Sequence, residues 1–340
     1  MATTLNQTKQ NFRAIGFVNE SNLEREDCDI KITDSSGNDS TVQGERVRGK
    51  ISIRMGNNVK TFDVFCNSLT TKGEESKQWK NALAMLDLNP EIGGNPNVEP
   101  SLVSVAGRVT ENRYYNDNTK DVSVGLRWTA SRISTSRVTE DDEHGCTLSG
   151  TFFINGIKPE TKDDEETGRL VVTLCGVQYG ASPFVVNTIV NEDLADAFSD
   201  MYEVGQTANF DIDVVFEHIG AKTGGKKAFG DGGKIKASGY DRETLVIVGG
   251  DEPIEPSDEE DDDGNPIDNG YIDPKVMKIA LKERTNNIAE IKASGGTTTK
   301  STSKGASLKD KKRSIGKKAS KPIDEDEDDD TDLFDDDDDF

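Results

Sequence analysis

His144 and His218 are the two imidazoles of the 340-residue sequence, and each stands alone in an acidic or loop context. Nucleophilic catalysis of the Ser/His/Asp or Cys/His kind needs a base beside its nucleophile and a third group to orient that base. Neither histidine offers such a setting. The carboxylate pairs Asp141/Asp142 and Asp163/Asp164 lie in acidic, loop-like runs, where solvation accounts for them, and no EF-hand spacing is present. One stretch fits a phosphate loop: in "GAKTGGKKAFG" (220–230), Gly220, Gly225 and Lys226 match G-x-x-x-x-G-K after a strand. Lys227, however, occupies the place of the magnesium-binding hydroxyl. The following "AFGDGGKIKASGY" is too rich in glycine to open a helix, so the cradle lacks a helix N-terminus. The segment reads as a basic loop that touches a phosphate backbone. An enzyme is not expected, nor a metal or cofactor.

Binding chemistry is better represented. "RVRGKISIRM" (46–55) alternates with period two, so that Val47, Ile51, Ile53 and Met55 face one way and Arg46, Arg48, Lys50 and Arg54 the other. The outward set holds four cations and no acid. Arg108 points outward on a later alternating strand, and "ENRYYNDNTKD" (111–121) brings Arg113, Tyr114, Tyr115 and Lys120 into one loop. Cations that neutralise phosphates, interleaved with aromatics that stack on unpaired bases, are the two parts single-strand binding requires. Trp128 shares parity with Val122, Val124 and Leu126 and belongs to the core, whereas Arg127, of opposite parity, is the contact. Trp79 is likewise expected in the core.

These side chains need strands to hold them. In the first unit an opening strand "NFRAIGFV" (11–18) precedes a hairpin, 46–55 and 59–66 around "GNN". A helix over 74–86 follows, with Trp79, Leu83 and Leu86 on one face. A Pro/Gly/Asn-rich loop (89–100) then leads to strands at 101–110 and 122–130. The second unit repeats the grammar: strands at 146–156, 168–177 and 183–190, a helix over 191–202 capped by Asn191, and a strictly alternating strand at 206–218. Five strands with one helix before the last pair is the order of an OB-fold. The expected fold is therefore mostly β, two OB-like Greek-key barrels in tandem, each with one short helix, with a single larger sandwich as the alternative. On 208–216 the outward residues include Asp211 and Asp213, followed by Glu217, a face that would repel phosphates and fits a structural or protein-docking role.

Composition supports two modest cores and a disordered share: 32% hydrophobic and 31% charged residues, with a mean hydropathy of −0.67. Nothing resembles a membrane span or signal peptide, and the four cysteines form no CxxC pair, so a soluble, cytoplasmic protein with reduced thiols is expected. The net charge of −23 is unevenly spread. Residues 1–138, the expected DNA-binding domain, carry +1, and 139–249, the second barrel, −11. An acidic linker (250–270) carries −10, and the short amphipathic helix (271–293, with Val276, Ile279 and Ala280 on one face) and basic linker (294–321) together carry +10. The last stretch, 322–340, carries −13. Such segregation points to separate tasks along the chain.

The acidic end, "DEDEDDDTDLFDDDDDF" (324–340), places aromatic side chains in a field of carboxylates. It resembles the C-terminal tip of bacteriophage-type single-stranded-DNA-binding proteins, in which an OB-fold core is followed by a flexible linker and an acidic segment ending in an aromatic residue. The resemblance implies a protein that coats single-stranded DNA without strong sequence preference. It would recruit polymerase, helicase, primase or recombination proteins during phage replication, in the cytoplasm of a host bacterium. Phe340 would enter an apolar pocket on such a partner, Asp335, Asp336, Asp337, Asp338 and Asp339 would steer the encounter, and Phe334 would be a second anchor. Two other readings stay open: a virion or assembly protein with a solubilising tail, and an anionic mimic of nucleic acid.

Overall fold

Alternation between apolar and charged residues builds most of the molecule. The structure is a computed structural model that describes residues 5–34, 37–136, 138–139, 141–162, 164–219, 240–257 and 269–295. Its strands are β1 (Gln10–Ser21), β2 (Glu24–Thr33), β3 (Asp39–Met55), β4 (Asn58–Asn67), β5 (Leu102–Asn116) and β6 (Asp121–Ser134) in the first barrel. The second barrel has β7 (Gly145–Lys162), β8 (Glu165–Gln178), β9 (Ser182–Val190), β10 (Thr207–Ile219) and β11 (Tyr240–Gly250). Helix α1 (Trp79–Leu86) lies between β4 and β5, α2 (Glu192–Met201) between β9 and β10, and α3 (Pro274–Ala293) follows the second barrel. No helix among the described residues is long and apolar enough to cross a membrane.

Pairing defines the architecture. In the first barrel β1 pairs with β3 and β5, β3 with β4, β5 with β6, and a short parallel contact, Asp63↔Thr129 and Val64↔Ala130, joins β4 to β6 and closes the ring. The second repeats this: β7 with β8 and β10, β8 with β9, β10 with β11, and a parallel β9–β11 seam at Val190↔Ile247. Each is a five-stranded ring with its helix before the last two strands, which is OB connectivity twice over. The single-sandwich alternative is thereby set aside. The rings are fused, because β1 and β7 pair antiparallel from Gln10↔Gly150 to Ile15↔Gly145.

One strand is absent from the sequence reading, and one expectation is corrected. The charged segment 24–33 forms β2, which pairs only with the first half of β3; one buried residue, Ile30, is too sparse a signal for a strand. The expected loop 111–121 is mostly strand, since β5 and β6 run on as an arm to a turn over residues 117–120. At Gly49, β3 leaves β2 and joins β1. Its φ of +137° and a Cβ that would stand 2.1 Å from the Asn22 carbonyl oxygen exclude other residues.

The cores follow the alternation. Phe12 stacks on Phe62 with centroids 4.9 Å apart and meets Trp128 edge-on at 5.3 Å. Helix α1 closes one end with Trp79, Ala82 and Met85. In the second barrel Phe198 and Tyr202, from α2 and its C-terminus, pack on Phe210. Asn191 is the N-cap residue of α2, as expected, although its side chain makes no capping bond. Cys66, Cys146 and Cys175 are buried and Cys28 is half-buried, all as free thiols; burial pushes the Cys146 and Cys175 thiols up to about 12.

Polar contacts also bind the barrels beyond the shared sheet. Lys60, 4% exposed, lies 3.8 Å from the Trp128 ring centroid, and its ammonium donates to Glu243 of β11 at 2.6 Å. Helix α3 packs on β9, β5 and β6. Its Asp273 side chain accepts from the Lys275 N–H as N-cap, Met277 is fully buried, and of the expected face Val276 and Ala280 pack beside Met277 and Leu281 while Ile279 is 61% exposed. Arg284 binds the Glu111 carboxylate at 2.5 Å, and Arg113 binds it from the other side. The Glu111 side chain is only 1% exposed, so removing it strands two cations. Glu111→Ala is expected to cost about 3–5 kcal/mol in urea unfolding and to expose α3 to proteolysis before the barrels. An unchanged midpoint would mean that the ion triad is dispensable.

Candidate nucleic-acid interface

The second and third strands of an OB barrel present the face used for oligonucleotides; in the first barrel these are β3 and β4. Register sets Arg46 opposite Asn67, Arg48 opposite Phe65, Lys50 opposite Asp63, and Arg54 opposite Val59. Buried Phe62, Val64 and Cys66 alternate with these β4 residues, so Phe65 stands on the outer side. The Arg46 guanidinium lies 4.7 Å over the Phe65 ring and donates to Asn67 Oδ1 at 2.9 Å. Cations flank an outward aromatic, and the parity of 59–66 carried this signal although sequence reasoning passed over Phe65.

The acid-free description of this face holds for β3 alone. Neighbouring elements supply carboxylates: Arg48 pairs with Glu26 of β2 at 3.1 Å, and Lys50 with Asp63 at 3.6 Å. Arg127 of β6 reaches the same Asp63 at 3.0 Å, and Arg54 pairs with Glu91 at 2.7 Å while lying over the Phe17 ring at 5.3 Å. Four cations therefore meet three acids. Such part-exposed pairs contribute roughly 0–1 kcal/mol each, so a polyanion can exchange with the carboxylates at small cost.

The β5–β6 arm divides the remaining candidates. Tyr114, 52% exposed, pairs across with Ser123 and shares an arm face with Asn112, opposite Gly125, and with Thr110, opposite Arg127. That face continues the β3–β4 surface through Arg127. Arg108, opposite Thr129, lies further round the barrel beside β1. Lys120 sits at the turn with φ +54° and pairs with Asp117 at 3.8 Å. Arg113 and Tyr115 point to the other side of the arm by strand alternation. Arg113 is held there by Glu111, by Asn287 Oδ1 at 3.1 Å and by the Pro183 carbonyl at 3.1 Å. Its guanidinium, expected as a phosphate contact, is thus committed to α3, β5 and β9 on the side of the arm away from Tyr114.

Elsewhere the candidates disperse. Ala208, Phe210 and Ile212 are buried while Asp211 and Asp213 face out, as alternation required; burial, with Glu143 and Asp211 nearby, raises the Asp213 carboxyl. Yet β10 is the fourth strand of its barrel, so this acidic surface is not the strand 2–3 face. The His144 ring meets Phe17 edge-on at 5.3 Å. Asp142 accepts from the Thr139 N–H at 2.6 Å, a loop contact. No group of three or more His, Cys, Asp or Glu among the described residues is arranged to hold a metal ion. The glycine-rich 220–230, the His218 side chain, the basic linker from 296 to 321, and the tip with Phe334, Asp335–Asp339 and Phe340 lie outside the described residues.

The solved structures similar to this chain include two forms of the single-stranded DNA binding protein from Thermus aquaticus. The wild-type protein is 10% identical, with a TM-score of 0.38, over 75% of this chain and 98% of that one. A deletion mutant of the same protein is 12% identical, with a TM-score of 0.36, over 74% of this chain and 99% of that one. The OB assignment above rests on strand connectivity and not on these likenesses. No curated protein matches the sequence. The profile of one family, described as YorF, matches residues 9–294, which takes in both barrels and all of α3. The chain belongs to the YorF family.

Proposed function

We propose that this protein binds single-stranded DNA on the outer face of β3 and β4 and on the adjoining side of the β5–β6 arm. The observation that carries this reading is the Arg46–Phe65–Arg48 arrangement on strands 2 and 3 of an OB barrel, continued by Lys50, Arg127 and Tyr114. Phosphates would exchange with Glu26 and Asp63 for the cations, and Phe65 and Tyr114 would receive base faces. Phosphate pairing and base stacking do not distinguish one base from another, so weak sequence preference is expected. The acidic, Phe-ended sequence 324–340 supports a finer reading. The protein coats single strands during phage replication or recombination and recruits replication proteins through Phe340, with Asp335–Asp339 steering. The carboxylates on the β3–β4 face favour a second reading, an assembly protein whose cations serve only internal pairing, and the two differ in measurable ways.

Oligo-dT binding is expected to weaken with salt at a log–log slope near −3.5, from about five phosphate contacts on the single-strand rule. Arg48→Glu with Lys50→Glu is expected to lower affinity tenfold or more without shifting the unfolding midpoint, because both side chains are more than half exposed. Binding equal to wild type would refute the face and favour the assembly reading.

Phe65→Ala and Tyr114→Ala are each expected to lose about 1–3 kcal/mol of binding while leaving the salt slope unchanged. Loss of slope with unchanged stacking would reverse the roles of these side chains. Phe340→Ala is expected to abolish capture of a replication protein and to leave oligo-dT affinity intact. An indifferent Phe340→Ala variant would reduce the tail to a solubilising segment.

A further inference from the structure

Between the barrels lies a cleft of about 820 Å³. One wall is the outer face of strands 2 and 3 of the second barrel, with Val171 on β8 and Val185 and Ile189 on β9. The opposite wall comes from the first barrel: Val59 and Thr61 on β4, and Val124 to Leu126 on the arm, where Gly125 faces open space. Lys60 and Trp128 also line it, and the Thr244 Oγ1, buried beside them, has no hydrogen-bond partner among the described residues.

The charges in this cleft are not evenly committed. Its three acids are each engaged by a cation: Glu111 by Arg284 and Arg113, Glu160 by Arg169 at 2.7 Å, and Glu243 by Lys60. Lys158 of β7 and Arg242 of β11, both exposed, have no ion-pair partner among the described residues. The cleft thus joins to apolar walls two cations that make no ion pair with any described residue. It is also continuous with the face described above. Phe65, Asp63, Thr61 and Val59 succeed one another on the outer side of β4, over roughly 20 Å at about 3.3 Å per residue, and the last two already line the cleft.

We propose that the inter-barrel cleft is a second contact surface for the same single strand of DNA. The strand runs along β4 from Phe65 past Val59 into the cleft, where Lys158 and Arg242 bind phosphates and Val124, Leu126, Val185 and Ile189 pack against unstacked bases. Among the described residues no side chain of β10 lines the cleft, so the second barrel contributes through its own strand 2–3 face. This inference rests on the proposed single-stranded-DNA function. It adds that the second barrel takes part and that the occluded site spans both barrels, at about 4–16 nucleotides for each.

The test uses the full-length protein and oligo-dT of about 35 nucleotides. Lys158→Glu with Arg242→Glu is expected to weaken binding about tenfold at 0.1 M salt and to reduce the magnitude of the log–log slope by about 1.4, the share of two phosphates. Lys158→Ala with Arg242→Ala should give the same slope change without adding acid. In the wild-type protein, acetylation of Lys158 should be suppressed by bound oligo-dT. If wild type binds, the Arg48/Lys50 reversal weakens it, and both cleft variants keep wild-type affinity and slope, the cleft inference is overturned while the β3–β4 face stands. Unprotected Lys158 in a saturated complex overturns it as well. If wild type binds no oligonucleotide, the function reading itself fails.

Discussion

An OB barrel built from a long first strand leaves one edge unpaired, and the whole molecule is arranged around filling two such edges with each other. The first half of β1 bonds to β5 on one side and the first half of β7 to β10, so each has a free row of N–H and C=O groups on the other side. Left open, such rows are templates for unwanted pairing. Their antiparallel union from Gln10↔Gly150 to Ile15↔Gly145 satisfies both and continues one hydrophobic core through Phe12, Ala14, Cys146 and Leu148. It also fixes how the barrels face one another. The parallel seams come to lie across a cleft, and Lys60, Glu243 and Trp128 meet where that cleft narrows.

Fusion of this kind gives each surface a defined neighbour. The arm formed by β5 and β6 reaches over the second barrel, with one side exposed and the other locked to α3 through Glu111, Arg113 and Arg284. The same hairpin therefore has one open side and one clasped side, and alternation alone decides which residue lies on which. Tyr114 and Arg113 are adjacent in sequence yet lie on opposite sides.

Strand alternation made most of this legible. Parity alone placed Val47, Ile51, Ile53, Met55 and Trp128 inside and Arg48, Lys50 and Arg127 outside, and the repeated order of strands and helix pointed to two OB barrels. What escaped depended on contacts between elements distant in sequence. Glu26, Asp63 and Glu91 compensate the cations only once β2, β4 and the 89–100 loop are in place. The strand β2 is an edge that buries little, so it carries no clear period. Arg113 looked like a loop cation because the turn residues 116–120 overshadowed the strand preceding them. The second barrel was judged by β10, its most regular strand, whereas its strand 2–3 face shows no charge pattern until it is set against the first barrel.

The β1–β7 pairing also bears on how the chain is made. Thr8 and Gln10 sit near the beginning of the sequence and bond to Val177 and Thr151, and β1 must wait for β7 to appear. At synthesis rates of about 5–20 residues per second, the interval from Ser21 to Gly145 is roughly 6–25 s. Throughout that time the first barrel can close its own ring but not its outer edge. The nascent chain is thus most vulnerable to self-association before residue 150 has left the ribosome, and two chains growing side by side could exchange β7. Slow translation in that window, or a chaperone that shields a strand edge, would matter more for yield than the final stability of either barrel.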